Sequence, residues 1–336
     1  MNNLALQGVF MKLKDAFILI NLFVISIFCG FSCKQSHSAS SAEKSVCITT
    51  YPIWLLTRQV MEGSQLKPIL VIPAETGCPH DYSLTPNALM KIKDGALLLA
   101  NGGGLDQVVI EAIQRVTKDI RVKDTSLGIK LIHTEDYETA DGGKENHAEE
   151  HHHEHAEGHH HHESSINGHF FTSPFCAIQI VENIVSGLCE YNPEESDLYR
   201  RNEEKILDSL RGICKSYQET LKTGEKIRIS TQHDVFHYFF RDLGYPLPIS
   251  IFIDADITLS PSELTSFARQ CQENHVKYFI VDMQCPGKLA KMISETAKLQ
   301  LIQLDSLASG GEDVPLDYYE QKMLSNLEII KQNFNL

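Results

Sequence analysis

Positive charge is scarce in this sequence. Its 336 residues carry 30 Lys and Arg against 44 Asp and Glu, a formal net charge of -14 at pH 7. A nucleic-acid binder needs a basic face, so that class is excluded. The balance suits a soluble protein and favours cations near its surface. The short motifs of common catalysts are missing too. There is no GxSxG, no Walker A loop and no HExxH, since His153-Glu154 is followed by Glu157 where a second His would stand. A zinc hydrolase would need an open coordination position and a general base. Asp81 and Asp234 could be named for the base, but nothing else supports either, and the chain is expected not to be an enzyme. Long apolar runs are absent except for one near the N-terminus, over 16–31.

That run follows Met11, Lys12, Lys14 and Asp15. It is too short and too early for a membrane span and fits a signal peptide over residues 1–32. Residues 1–10 add nothing to it, which makes Met11 a candidate start. The run ends in Gly30-Phe31-Ser32-Cys33, a small residue before a Cys, as at a bacterial lipoprotein cleavage site, although Gly30 stands where an aliphatic residue is usual. Cys33 is therefore expected to carry a lipid anchor, with 33–44, rich in Ser and Ala, as a flexible tether. The alternative is cleavage elsewhere and a soluble periplasmic product. Nine cysteines in an exported chain raise the question of disulfides. Without Cys29 and Cys33 seven remain, an odd number with no CxxC and no spacing of a small disulfide scaffold. Cys271 and Cys285 are a possible pair, and most of the others read as buried small apolar residues.

From residue 45 onward strands and helices alternate. Strands are expected at 46–50, 66–72, 96–100 and 120–123, with helices at 52–62, 86–93 and 106–116. A second series follows: strands at 226–230, 249–253, 276–281 and 301–304, helices at 235–243, 262–274 and 287–299, and a terminal helix at 318–334. Ser260 is the expected N-cap of the 262–274 helix, with Pro261 in its first turn. Between the series stand a helix at 174–191 and a long one at 194–221 with apolar Leu198, Ile206, Leu210 and Ile213. The pattern gives an α/β protein of two lobes, each a mostly parallel sheet flanked by helices, joined by one long helix. The lobes are expected at 45–190 and 225–336, with the link at 191–224. Residues 134–166, acidic, His-rich and nearly free of large apolar groups, read as a disordered surface loop in the first lobe.

Sixteen histidines are the compositional anomaly, and nine fall between His147 and His162. Such a stretch offers many imidazoles without fixed geometry, so it should bind zinc more weakly than a built site; gathering zinc or sensing its abundance is the role expected of it. Three isolated histidines differ. His80 follows the second strand, His169 follows the His-rich stretch, and His233 follows the first strand of the second series. Strand ends of doubly wound sheets face a ligand crevice. Taken singly, each reads as a loop or capping residue; taken together they suggest one interlobe site. Three neutral imidazoles suit Zn²⁺, with carboxylates to complete the shell. Asp305, at the end of the 301–304 strand, is the candidate fourth ligand. His237, one helical turn after His233, reads as a packing or supporting residue.

The surrounding residues resemble a known family. His80-Asp81-Tyr82-Ser83-Leu84-Thr85-Pro86 is similar to the first metal-ligand motif of the zinc- and manganese-binding proteins of ABC importers, and is closest to the zinc branch. Asn101-Gly102-Gly103-Gly104-Leu105 fits the same family. Gly168-His169-Phe170-Phe171-Thr172-Ser173-Pro174 resembles its second motif, with Asn167-Gly168 in place of the usual Asp-Pro and Phe171 for Trp. His233-Asp234-Val235-Phe236-His237-Tyr238 resembles the third, and Leu304-Asp305-Ser306-Leu307 a late Asp-containing segment. The resemblance runs from about Val46 to Leu336. It implies His80, His169 and His233 as zinc ligands, with Asp305 less firmly placed: in manganese-binding members the matching Asp coordinates, while in several zinc members a water or a loop residue takes that place. Cys78 departs from the pattern and could join the site, unless Pro79 turns it away. The implied protein is a monomeric, exported, lipid-anchored component that hands Zn²⁺ to a permease and its ATPase, with two lobes that close little. A manganese-binding importer component, or a zinc-binding surface lipoprotein acting as adhesin or store, is the alternative; manganese prefers more oxygen ligands than this set offers.

Overall fold

The computed structural model describes residues 45–77, 79, 82, 84–92, 96–117, 119–137, 166–222, 228–251, 260–284 and 287–334. The expected signal and tether with Cys33, the His-rich stretch from 138 to 165, and His80, Cys78, Asp81 and Cys285 lie outside them.

The first series folds as β1 (Ser45–Ile48), α1 (Tyr51–Val60), β2 (Lys67–Leu70), α2 (Pro86–Ile92), β3 (Leu97–Ala100), α3 (Gln107–Val116) and β4 (Arg121–Asp124). Its four strands form a parallel sheet in the order β2-β1-β3-β4. A small antiparallel ladder follows, β5 (Ile132–His133) with β6 (Ile166–Asn167). Then come α4 (Pro174–Tyr191) and α5 (Ser196–Thr220). The second series is β7 (Ser230–Thr231), α6 (His237–Asp242), β8 (Ile249–Ser250), α7 (Pro261–Glu273), β9 (Tyr278–Asp282), α8 (Gly287–Ala297), β10 (Gln300–Leu304) and α9 (Tyr318–Asn333). Its sheet is parallel, in the order β10-β9-β7-β8. Two parallel sheets with a long helix between them is the architecture expected from the sequence.

Both faces of each sheet are covered, which explains why their strands read as continuous apolar runs. Val46 and Ile48 of β1, with Leu97 and Leu99 of β3, face a central core, while Cys47 and Leu98 face a smaller cluster under α3. In the second sheet Tyr278, Ile280, Ile302 and Leu304 face the same central core, and Phe279 and Val281 face a third cluster under α7 and α8. Helices α1, α4, α5, α6 and α9 fill the space between. One apolar core therefore runs through both halves, and residues 43–336 form one compact unit.

Helix α5 is about 38 Å long at 1.5 Å per residue. Its buried stripe is Tyr199, Asn202, Ile206, Leu210, Ile213 and Tyr217. Asn202 is polar for a reason: its amide donates to the carbonyls of Val60 (3.1 Å) and Glu62 (2.9 Å), orphaned at the end of α1. Helix α7 begins with the expected cap, Ser260 and Glu263 exchanging side-chain and backbone bonds. The ends of the expected 134–166 loop are structured. Thr134–Asp136 forms a helical turn and Ile166 pairs with His133. The strand expected at 226–230 is seen only as Ser230–Thr231. Cys47, Cys176, Cys189, Cys214 and Cys271 carry free thiols, all buried but Cys189. Among the described residues no helix is long and apolar enough to cross a membrane.

Candidate metal centre

Each sheet reverses its strand order at one point, between β1 and β3 in the first and between β7 and β9 in the second. The ends of adjacent strands diverge there and leave a crevice. The segment after β3 is Asn101-Gly102-Gly103-Gly104; the segment after β7 is Gln232-His233-Asp234. His169 sits between β6 and a helical turn at Phe170–Thr172.

The turn after β3 is built around the buried carboxylate of Asp106, which accepts from the backbone N–H groups of Asn101 (2.7 Å) and Gly102 (3.1 Å) and from the Thr49 hydroxyl. Burial nevertheless pushes Asp106 up to about 6, outweighing these bonds. Asn101 in turn donates from its side chain to the carbonyl of Gly168 at 3.0 Å. A Cβ on Gly168 would stand 2.6 Å from that of Leu105 and 3.2 Å from the carbonyl oxygen of Gly103. This contact accounts for glycine immediately before His169.

His169 and His233 come together with their ring centroids 5.1 Å apart and nearly perpendicular. Asp234 lies beside both: its Oδ1 is 2.7 Å from Nδ1 of His233 and 3.3 Å from Nδ1 of His169. One donor atom from each of the three lies within 4.8 Å of the others, the one such group among the described residues. His169 and Asp234 are buried, and His233 is about a quarter exposed. Oδ1 of Asp234 is buried and, beyond these two close contacts, has no hydrogen-bond partner among the described residues. The other oxygen, Oδ2, accepts from Tyr137 Oη at 2.6 Å.

The distances assign roles. Two donors on one tetrahedral zinc, each about 2.0–2.1 Å from the ion, stand about 3.3 Å apart. At 2.7 Å His233 Nδ1 and Asp234 Oδ1 stand too close to be two ligands of one ion, so the carboxylate reads as the ring's support. Nδ1 of His169 also has the Asn167 carbonyl oxygen at 3.1 Å, so two acceptors surround it. The proton then belongs on Nδ1 of each ring, leaving the lone pair on Nε2. A carboxylate that grips the far nitrogen is the usual support of a metal-binding histidine. Burial alone would raise the Asp234 carboxyl, but bonds and charge from His169 and His233 hold it well below the usual carboxylate range. Burial lowers His169 against the opposing pull of Asp234, a shift toward the neutral form that a metal ligand needs.

The two halves are laced together here. Asn167 donates to the Asp234 carbonyl at 2.8 Å, Thr172 to the Val235 carbonyl at 2.9 Å, and Tyr238 to the Asn167 carbonyl at 2.6 Å. His237 is buried behind them, its ring 4.2 Å from that of Tyr137, and burial lowers it to about 4.

Of the residues expected from sequence, His169 and His233 are thus brought together, and His80 lies outside the described residues. Asp305 stands beyond β10, with Oδ2 2.9 Å from Lys322 Nζ, and is not in the three-residue group. Asp234 was missed as a supporting residue. The signal was present, a carboxylate adjacent in sequence to a candidate ligand.

The sequence profile described as zinc-uptake complex component A, periplasmic (ZnuA) matches residues 46–333. This chain belongs to the ZnuA family. Two relatives illustrate the likeness. The high-affinity zinc uptake system protein ZnuA of Bacillus subtilis is 26% identical over 329 residues, covering 96% of this chain and 98% of that one. The zinc-binding lipoprotein AdcA of Streptococcus pneumoniae is 27% identical over 316 residues, but this chain spans only 60% of its length. The ZnuA fold is also seen in solved structures. Zn(II)-bound AdcA from S. pneumoniae superposes with a TM-score of 0.68 at 22% identity, over 88% of this chain and 58% of that one. FpvC of Pseudomonas aeruginosa with Mn²⁺ gives 0.70 at 20% identity, over 87% and 98%. ZnuA proteins are binding components of transport systems, which act outside the cytoplasm with a permease and an ATPase.

Proposed function

We propose that this chain captures Zn²⁺ outside the cytoplasm and delivers it to the permease of an ABC importer. The observation that carries the reading is the buried meeting of His169 and His233 over Asp234 in a chain of the ZnuA family. Zinc takes imidazole readily, and two neutral rings held by one carboxylate form most of a tetrahedral set. His80 is assigned as the third ligand, on its place in the family motif. The ion is cargo, so the site has to bind it tightly and still release it. In the same reading residues 45–190 and 225–336 act as the two metal-gripping lobes, and 191–224 links them. The protein works as a monomer, tethered through a lipid on Cys33, and catalyses no reaction.

The test is zinc uptake in cells lacking their own zinc-binding component and grown in scarce zinc. The wild-type chain should restore growth. His169→Ala and His233→Ala should not, although both are exported to the same level. Restoration by both variants would sink the reading. The anchor is tested separately: Cys33→Ala should move the protein from the membrane to the soluble fraction.

A further inference from the structure

Asp305 leaves β10 at the sheet edge from which His233 leaves β7. Thr231 pairs with Ile280, and Ile280 with Ile302, so one line across the sheet passes just before both residues. Only β9 separates the two strands, which puts their backbones about 10 Å apart. That is within the combined reach of an imidazole and a carboxylate sharing one ion. The segment that follows Asp305 reaches the other half, where Tyr51, just beyond β1 of the other sheet, donates from its hydroxyl to the Gly311 carbonyl at 2.7 Å. Asp305 therefore borders the cleft.

Its polar atoms are committed one by one. The backbone N–H and carbonyl are taken by Asn326 at 2.9 and 2.8 Å. Oδ1 accepts from the Leu307 N–H at 2.9 Å and closes a turn in which Leu307 has φ of 63°. Oδ2 is held by Lys322, from the first turns of α9, at 2.9 Å. The Lys322 ammonium also lies 5.1 Å over the Tyr318 ring. Asn326 and Leu307 hold the turn without help from Lys322, and Oδ2 alone depends on that residue.

We propose that Lys322 sets which metal the cleft takes, by occupying a carboxylate oxygen that would otherwise join the imidazoles. With Asp305 neutralised, nitrogen donors dominate and zinc is preferred. With Oδ2 released, the set gains a hard oxygen and a negative charge, which favours Mn²⁺ relative to a nitrogen-only site. The inference rests on the zinc-binding reading above.

The experiment uses the full exported chain and measures Mn²⁺ binding by loss of the aqueous Mn²⁺ electron-spin signal, and Zn²⁺ by competition with a chelator. Lys322→Met should raise Mn²⁺ affinity about tenfold relative to Zn²⁺. Adding Asp305→Asn to it should abolish the gain, and Lys322→Arg should keep the wild-type ratio. A Lys322→Met protein with wild-type helicity and an unchanged Zn²⁺-to-Mn²⁺ ratio overturns the proposal. So does a gain that survives Asp305→Asn. If the wild type binds no tight zinc, or binds it independently of His169 and His233, the zinc-binding reading itself fails.

Discussion

Replacing Asp234 by Asn keeps the shape of the site and removes its charge. Tyr137 can still bond the side chain, since a phenol accepts from an amide as readily as it donates to a carboxylate. One acceptor oxygen still faces the two Nδ1 atoms, now 2.7 and 3.3 Å from Oδ1. The loss is the ionic character of those two contacts. A hydrogen bond to a charged group contributes about 1 kcal/mol more than a neutral one, so two contacts amount to about 2 kcal/mol, or roughly thirtyfold in Kd. The assay is chelator competition at fixed pH, on the chain carrying Asp234→Asn and on the wild type, with circular dichroism to show an unchanged fold. A zinc affinity within threefold of wild type would refute the claim that Asp234 holds the rings. A loss of about ten thousandfold would refute it from the other side, because removal of a direct ligand, and not of a support, would be the cause.

Three more outcomes are expected. Tyr137→Phe leaves Oδ2 of buried Asp234 without its donor and should cost about 1–3 kcal/mol of stability in chemical denaturation. Gly168→Ala forces a methyl group to within 2.6 Å of Leu105 Cβ; overpacking of this kind costs about 1–3 kcal/mol, and by displacing His169 it should weaken zinc binding as well. His237, lowered by burial to about 4, stays neutral in the fold while the unfolded chain takes up a proton near pH 6.5. The unfolded state thus binds more protons between pH 6.5 and 4, and stability falls as pH falls through that window, by up to about 1.4 kcal/mol per pH unit from this residue. In metal-free protein His237→Gln should flatten the slope of unfolding free energy against pH there; an unaltered slope would contradict the assignment.

The two sheets were legible because their strands are buried on both faces and read as short apolar runs such as Leu97–Ala100 and Tyr278–Asp282. Helix α4 was readable to the residue, since Ser173 and Pro174 mark its start. The β5–β6 ladder was not: two residues on either side of a long polar stretch carry no period. His169 and His233 could be picked out because isolated histidines stand at strand ends. Asp234 was weighed only as a base, and what it does depends on a ring brought in from 65 positions earlier. The partner of Asp305 sits on a helix 17 residues downstream, where no local pattern connects Lys322 to the end of β10.

The most direct test of the central claim is X-ray absorption at the zinc edge on the chain loaded with one equivalent of Zn²⁺, compared with His169→Ala and His233→Ala. The account predicts a nitrogen-rich first shell near 2.0–2.1 Å with the multiple-scattering signature of imidazole, losing one ring in each variant. A shell dominated by oxygen, or one unchanged by either substitution, would contradict it.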